Sequence, residues 1–194
     1  MDLKRPESHQ PIPPHASRVF KGVIYDIYQW EQVLFDGTKT TFEKAKRADT
    51  TVVFPILPDG TILLTRQQQP GSAGFSYCGA GGRVEEGEDP FDTAVRELRE
   101  ETGHEAGEWV LWDAVQPMGK LDWAVYILLA KQCKKVTEIS PDAGEKIEVL
   151  PVTFEEFLDI ATLPNFAEKE VVPRVLAAKA DPKKMIELQT LFRP

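Results

Sequence analysis

The chain has 194 residues, 42% of them hydrophobic and 28% charged, with a formal net charge of −8 at neutral pH. That length suits one domain with a well-buried core, alone or with a small extension, and no apolar run approaches the roughly 18 residues that a membrane-spanning helix requires. The acidic balance argues against a nucleic-acid backbone as the main partner, since such binding draws on clustered Lys and Arg.

The opening stretch MDLKRPESHQPIPPHAS carries charge and proline but no apolar core of the kind a secretory signal needs. A cytoplasmic protein without membrane association is therefore expected. Residues 1–17 contain four prolines and little apolar periodicity, which predicts an extended or disordered arm outside the core. From Arg18 to about residue 48 the pattern alternates, and Asp36-Gly37 offers hairpin-turn chemistry, so a small antiparallel N-terminal β-sheet is predicted. Two β-rich segments, TTVVFPILP and TILLTRQQQ, follow across the turn signal Pro58-Asp59-Gly60 and read as core strands. They open the main domain, assigned to residues 49–194.

After a glycine-rich stretch from Gly71 to Gly87, the segment Asp89–Thr102 has Asp89 as N-cap, Pro90 in the first turn and Gly103 just past the end. Phe91, Ala94, Val95 and Leu98 recur at helical spacing and should face the core. Further strands are expected at Trp123–Ala130 and Lys146–Val152, with helices at Phe154–Ala161, Glu168–Ala180 and Pro182–Leu191. Strands with helices inserted between and after them predict an α/β (α+β) sandwich with a mixed sheet.

The two cysteines, Cys78 and Cys133, lack paired spacing, so buried reduced thiols are expected rather than a disulfide or a structural zinc. His9, His15 and His104 are too scattered for a metal triad or a nucleophile–base pair. Carboxylates are the informative groups. On the helix, Glu97, Glu100 and Glu101 lie three and four positions apart and share one face. Stacking like charges there opposes an isolated helix, and a solvated acidic face is the ordinary outcome of such a run. Clustered carboxylates also present hard oxygen ligands to Mg²⁺ or Mn²⁺, and a cation would relieve their repulsion while bridging to substrate phosphates.

The stretch Gly82–Gly103, GRVEEGEDPFDTAVRELREETG, resembles the Nudix box, G-x5-E-x7-R-E-U-x-E-E-x-G-U, where U is a bulky apolar residue. Gly82, Glu88, Arg96, Glu97, Leu98, Glu100, Glu101 and Gly103 fall in register, and only His104 departs. The resemblance implies a Nudix-fold α/β/α sandwich, with Glu97 and Glu101 as principal metal ligands, Glu100 as a ligand or base, and the Gly81 carbonyl as a further ligand. Arg96 would orient the carboxylates through charge-assisted hydrogen bonds. Glu85 and Glu88 flank the loop and either touch the metal or fix the backbone. The reaction implied is attack of water on phosphorus, with the metal stabilising charge on the phosphate oxygens. The general base is sought in the loop TEISPDAGEKIEV, where Glu145 is preferred over Glu138 and Asp142.

The N-terminal sheet, LLTRQQQP and GEKIEV together resemble the ADP-ribose and nucleoside diphosphate sugar pyrophosphatases, which implies a homodimer exchanging N-terminal strands. Two positions depart from that branch. Gln69 stands where an arginine contacting the diphosphate is usual, and Cys78-Gly79-Ala80-Gly81-Gly82 replaces a lead that carries a substrate-contacting glutamate. The expected substrate is therefore a nucleoside diphosphate sugar, with ADP-ribose itself not favoured. Tyr28, Trp30 and Trp123 are candidate stacking platforms for a base or sugar, with core or dimer-interface roles as the alternative. Arg47 and Arg66 are candidate phosphate contacts, and Gln69 takes the arginine's place at the substrate. Two other functions stay open: hydrolysis of nucleoside triphosphates or dinucleoside polyphosphates, and binding of a nucleotide sugar without catalysis.

Overall fold

The computed structural model describes residues 1–140 and 144–194; Asp142, one of the candidate bases, lies outside the described residues. The chain opens with β1 (Ser17–Lys21), β2 (Asp26–Val33), β3 (Lys39–Lys46), β4 (Thr50–Pro55), β5 (Ile62–Gln68), β6 (Ser76–Cys78) and β7 (Ala80–Arg83). Helix α1 (Pro90–Thr102) then leads to β8 (His104–Glu105), β9 (Glu108–Val115), β10 (Leu121–Asp122), β11 (Val125–Lys131), β12 (Lys134–Lys135) and β13 (Lys146–Val152). Three helices close the chain, α2 (Phe154–Ile160), α3 (Val172–Ala180) and α4 (Pro182–Leu191).

The central sheet has the order β7-β4-β11-β9, with β4 and β11 parallel and both outer pairings antiparallel. Its inner strands are apolar on both faces because both are covered. Val52, Phe54, Ile127 and Leu129 pack among Phe157, Phe166, Val175 and Phe192 of the C-terminal region. The alternate residues Val53, Tyr126 and Leu128 pack against Ala94 and Leu98 of α1. The expected α/β/α sandwich with a mixed sheet is thus formed. A second sheet, β13-β5-β6, is antiparallel throughout and has β5 at its centre. No helix among the described residues is long and apolar enough to cross a membrane.

The N-terminal sheet forms about the Asp36-Gly37 turn, where Gly37 has a φ of 83°. It differs from the antiparallel expectation in one strand: β10, from the middle of the chain, joins β3 in parallel. Residues before Ser17 form no strand or helix, as a proline-rich segment should, yet they are packed against the body rather than lying outside the core. Leu3 is buried in the cluster around Val53 and Ala94. Arg5 donates to both carboxylate oxygens of Asp49, at 2.8 and 3.0 Å, and to Asp122 at 3.0 Å. Buried Lys44 donates to Ser8 Oγ and the Gln10 carbonyl, each at 2.7 Å. Single anchoring residues of this kind leave no periodic signal.

Strand β9 was not expected, and the third helix begins at Val172 rather than Glu168. Pro173 stands in its first turn, where its fixed φ suits a helix start, and Glu168 is buried instead beneath the loop that follows β6. Trp123 precedes its strand and donates Nε1–H to Thr50 Oγ1 at 2.9 Å.

Candidate active site

Helix α1 is set at both ends by its own sequence. Asp89 accepts from the Phe91 N–H at 2.8 Å, and Gly103 adopts the left-handed conformation with its N–H on the Arg99 carbonyl at 2.9 Å. The helix packs on β4 and β7, which brings its carboxylate face to the glycine strand. The approach is close: a Cβ on Gly82 would fall 2.1 Å from Glu97 Oε1, and one on Gly81 would fall 2.1 Å from the Thr51 carbonyl. Only glycine admits this interlock.

A cavity of about 520 Å³ opens here, lined by Gly81, Gly82 and the helix residues Arg96, Glu97, Glu100 and Glu101, and by Arg47, Gln69 and Glu145 from other stretches of chain. Ile24, Tyr25, Ala48, Arg83 and Glu85 complete its wall. Glu101 is 5% exposed. Its Oε2 accepts from the Gly81 N–H at 2.9 Å and its Oε1 from Gln67 Nε2 at 3.0 Å. Burial pushes its carboxyl up to about 8; the Gly81 and Gln67 donors oppose the shift, while the charges of Glu97 and Glu145 add to it.

Arg96 is the cation inside the cluster. Its Nε and one terminal nitrogen grip both oxygens of Glu88, at 3.0 and 3.2 Å, while the other reaches Glu97 Oε1 at 2.7 Å and Glu100 Oε2 at 3.0 Å. That grip holds the Glu88 carboxyl down at about 2. Glu88 also accepts from the Glu85 N–H at 3.2 Å, so it ties the loop to the helix, and Glu85 pairs with Arg83. Among the described residues no three Asp, Glu, His or Cys side chains converge on a ready metal site. The donor set still suits Mg²⁺ or Mn²⁺, because such ions take one or two carboxylates and complete their shell with water and substrate phosphates. Buried Glu101 is the group whose charge most needs a cation.

Across the cavity Gln69 Nε2 donates to Glu145 Oε1 at 2.5 Å, joining the end of β5 to the residue before β13. Arg47 lies between the rings of Trp123, 4.9 Å from its centroid, and Tyr25, at 5.9 Å. Trp123 thus supports Arg47 instead of lining the cavity itself.

Three expected substrate contacts lie elsewhere. Tyr28 lines a separate hollow with Arg5, Pro6 and Lys46. Trp30 is buried in the N-terminal sheet against Phe42 and donates to Gln32. Arg66 is stacked on Phe75, 3.9 Å from the ring centroid, and pairs with Glu148; the strand pleat turns it away from the face that Thr65 and Gln67 present. Glu138, the other candidate base, pairs with Lys135 on the surface. Gln67 and Tyr25 were not singled out from the sequence. For Gln67 a signal exists, since its period of two with Thr65 places it on the inward face of β5. Both cysteines are free and buried.

The NUDIX domain family matches residues 46–175. The chain belongs to the Nudix family. It is 29% identical over 145 residues to an ADP-ribose pyrophosphatase of Bacillus subtilis (strain 168), covering 74% of this chain and 78% of that protein. It is 28% identical over 146 residues to a methanol dehydrogenase activator of Bacillus methanolicus, with the same shares covered. A solved structure described as an ADP compounds hydrolase superposes with a TM-score of 0.70 at 17% identity, over 90% of this chain and 95% of that one. This Nudix chain is accordingly a hydrolase of the pyrophosphatase kind, related to ADP-ribose pyrophosphatases.

Proposed function

We propose that this Nudix hydrolase cleaves the pyrophosphate bond of a nucleoside diphosphate sugar with the help of Mg²⁺ or Mn²⁺, giving a nucleoside monophosphate and a sugar phosphate. The observation that carries the reading is the polarity of one cavity. Its lining holds Glu97, Glu100 and Glu101 together with Arg47, a cation with no carboxylate partner among the described residues and a buried Nε without a hydrogen-bond acceptor. A diphosphate needs both a metal-binding face and a fixed cation.

Glu97 and Glu101 would hold the ion, with Glu100 and the Gly81 carbonyl as further donors. When bound, it supplies charge neutralisation at the phosphate oxygens and makes a bound water more acidic. Arg47 binds a phosphate by charge-assisted hydrogen bonds, its plane fixed by the two flanking rings. Glu145, oriented by Gln69, takes the proton of the attacking water, with Glu100 as the second candidate for that role. The water oxygen bonds to phosphorus as the bridging P–O bond breaks, and the second phosphate leaves. Arg96 keeps the box carboxylates in place. The names of the relatives support assaying ADP-linked diphosphates first.

Apolar side chains stand largely in solvent at both ends of β2, Phe20 and Val23 at one end and Phe35 at the other, at 58%, 94% and 115% of full exposure. Exposed apolar groups on this sheet support a homodimer, which light scattering after gel filtration would detect.

The deciding experiment is phosphate release, coupled to a phosphatase, from ADP-ribose, ADP-glucose, GDP-mannose, UDP-glucose, diadenosine polyphosphates and nucleoside triphosphates. Preferential turnover of a diphosphate sugar that requires Mg²⁺ or Mn²⁺ and is abolished by Glu101→Gln is expected. Undiminished turnover by Glu101→Gln would overturn the metal assignment, and preference for triphosphates would overturn the substrate class.

A further inference from the structure

We infer that Gln67 is a positioning residue for the Glu101 carboxylate, pinning one of its oxygens while the Gly81 N–H pins the other. The inference rests on the metal site proposed above and concerns how this chain prepares that site before any cation arrives.

The argument follows hydrogen-bond polarity. Buried Thr65 lies with Oγ1 3.2 Å from the Cys78 carbonyl and 3.3 Å from the Gly79 carbonyl. Carbonyl oxygens only accept, so the hydroxyl hydrogen is committed to them and Oγ1 is left as an acceptor. Gln67 Nε2 stands 3.0 Å from Oγ1 and 3.0 Å from Glu101 Oε1. The amide nitrogen therefore faces both neighbours, and its two hydrogens are divided between them. The flipped amide would aim its carbonyl oxygen at Thr65 Oγ1, whose hydrogen is already committed, and at a Glu101 oxygen that must be ionised to hold a cation.

With Gly81 N–H on Oε2, both oxygens of a nearly buried carboxylate receive N–H donors. Two fixed donors hold the carboxylate in one orientation at the edge of the cavity that Glu101 lines. The platform is rigid, because β5 is the central strand of its sheet and Gln67 is paired with Ile147 on one side and Ser76 on the other. Thr65 further ties this platform to the glycine segment that leads to Gly81.

The test is Mn²⁺ affinity of the metal-free protein, read from the free-Mn²⁺ electron paramagnetic resonance signal. Gln67→Met removes both donors at similar volume and should weaken Mn²⁺ binding by about 10- to 100-fold, with near-ultraviolet circular dichroism unchanged and turnover recovered at high Mn²⁺. Thr65→Val frees the amide to rotate and should weaken binding in the same direction but less, whereas Thr65→Ser should not. Gln68→Met, on the exposed side of the same strand, should bind as the parent does. If Gln67→Met does not fold, the Thr65→Val and Thr65→Ser pair decides the matter. Parent-like affinity in Gln67→Met and Thr65→Val would overturn the inference while leaving the metal site standing. Mn²⁺ binding indifferent to Glu101→Gln would remove the site itself, and this inference with it.

Discussion

Replacing Glu168 by glutamine should flatten the fall of stability with rising pH. Glu168 is 8% exposed and its Oε2 has no hydrogen-bond partner. Burial pushes its carboxyl up to about 8 from the ordinary 4.5, with the N–H groups of Glu168 and Gly79 opposing the shift. Between those two values the folded chain keeps a proton that the unfolded chain has released. Stability is therefore lost as pH rises from about 4.5 and levels off above about 8. At about 1.36 kcal/mol per tenfold change in proton affinity, the full loss is on the order of 5 kcal/mol, an upper figure that water entry would reduce.

Glutamine has the same shape and cannot ionise. Glu168→Gln should match the parent near pH 5 and exceed it by several kcal/mol near pH 8.5, a rise of several degrees in Tm at about 2–4 °C per kcal/mol. Urea unfolding followed by tryptophan fluorescence in metal-free buffer from pH 5 to 9 measures this. Glu101, shifted in the same direction, acts in both proteins, so the difference curve isolates Glu168. A difference that does not change with pH would refute the reasoning.

Gly82→Ala places a Cβ 2.1 Å from Glu97 Oε1; displacing that carboxylate by about an ångström should cost roughly 100-fold in kcat, with the circular dichroism spectrum retained. Arg47→Met keeps the stack on Trp123 but removes the cation, and should lower kcat/KM on a diphosphate sugar by about 10- to 100-fold, as expected for a lost charge-assisted hydrogen bond. An unchanged value in a steady-state assay would remove Arg47 from the substrate. Gly103→Ala forces a side chain into a φ of 73° and sets its Cβ 2.3 Å from the Thr137 carbonyl. A loss of about 1–3 kcal/mol follows, visible as a lower urea midpoint.

Helix α1 was legible because most of its sequence signals agree: the Asp89 cap, Pro90, Ala94 and Leu98 buried towards β4 and β7, and Gly103 as the left-handed stop; Val95, also expected to face the core, is exposed instead. The same stretch carried the box carboxylates and Arg96, so the core of the candidate site could be read before its geometry was known. What escaped lacked a local pattern. Arg5 finds Asp49 across 44 residues and Asp122 across 117, and no periodicity links partners that far apart. Trp30 and Arg66 were drawn to the substrate by residue type, but one fills the N-terminal sheet and the other lies on the outward face of β5. Aromatic and cationic side chains serve packing as readily as recognition, and only their neighbours tell which.

The interlock between Gly82 and Glu97, and between the Gly81 N–H and Glu101, shows why a motif spread over a strand, a loop and a helix behaves as one unit. A change at either partner displaces a carboxylate, so the glycines and glutamates must agree whatever substrate is cut. The groups facing that unit come from elsewhere: Tyr25 from the segment before β2, Arg47 from the link to β4, Gln69 from the end of β5 and Glu145 from the approach to β13. None lies within the box. The cavity is thus assembled from several separate stretches of chain. Gln69 is one of these lining residues, a neutral amide that holds Glu145 at a position where the resemblance to ADP-ribose pyrophosphatases leads to the expectation of an arginine. On the proposed reading the box carboxylates serve the bond that breaks, Arg47 serves a phosphate, and contacts to the groups on either side fall to residues outside the box such as Tyr25.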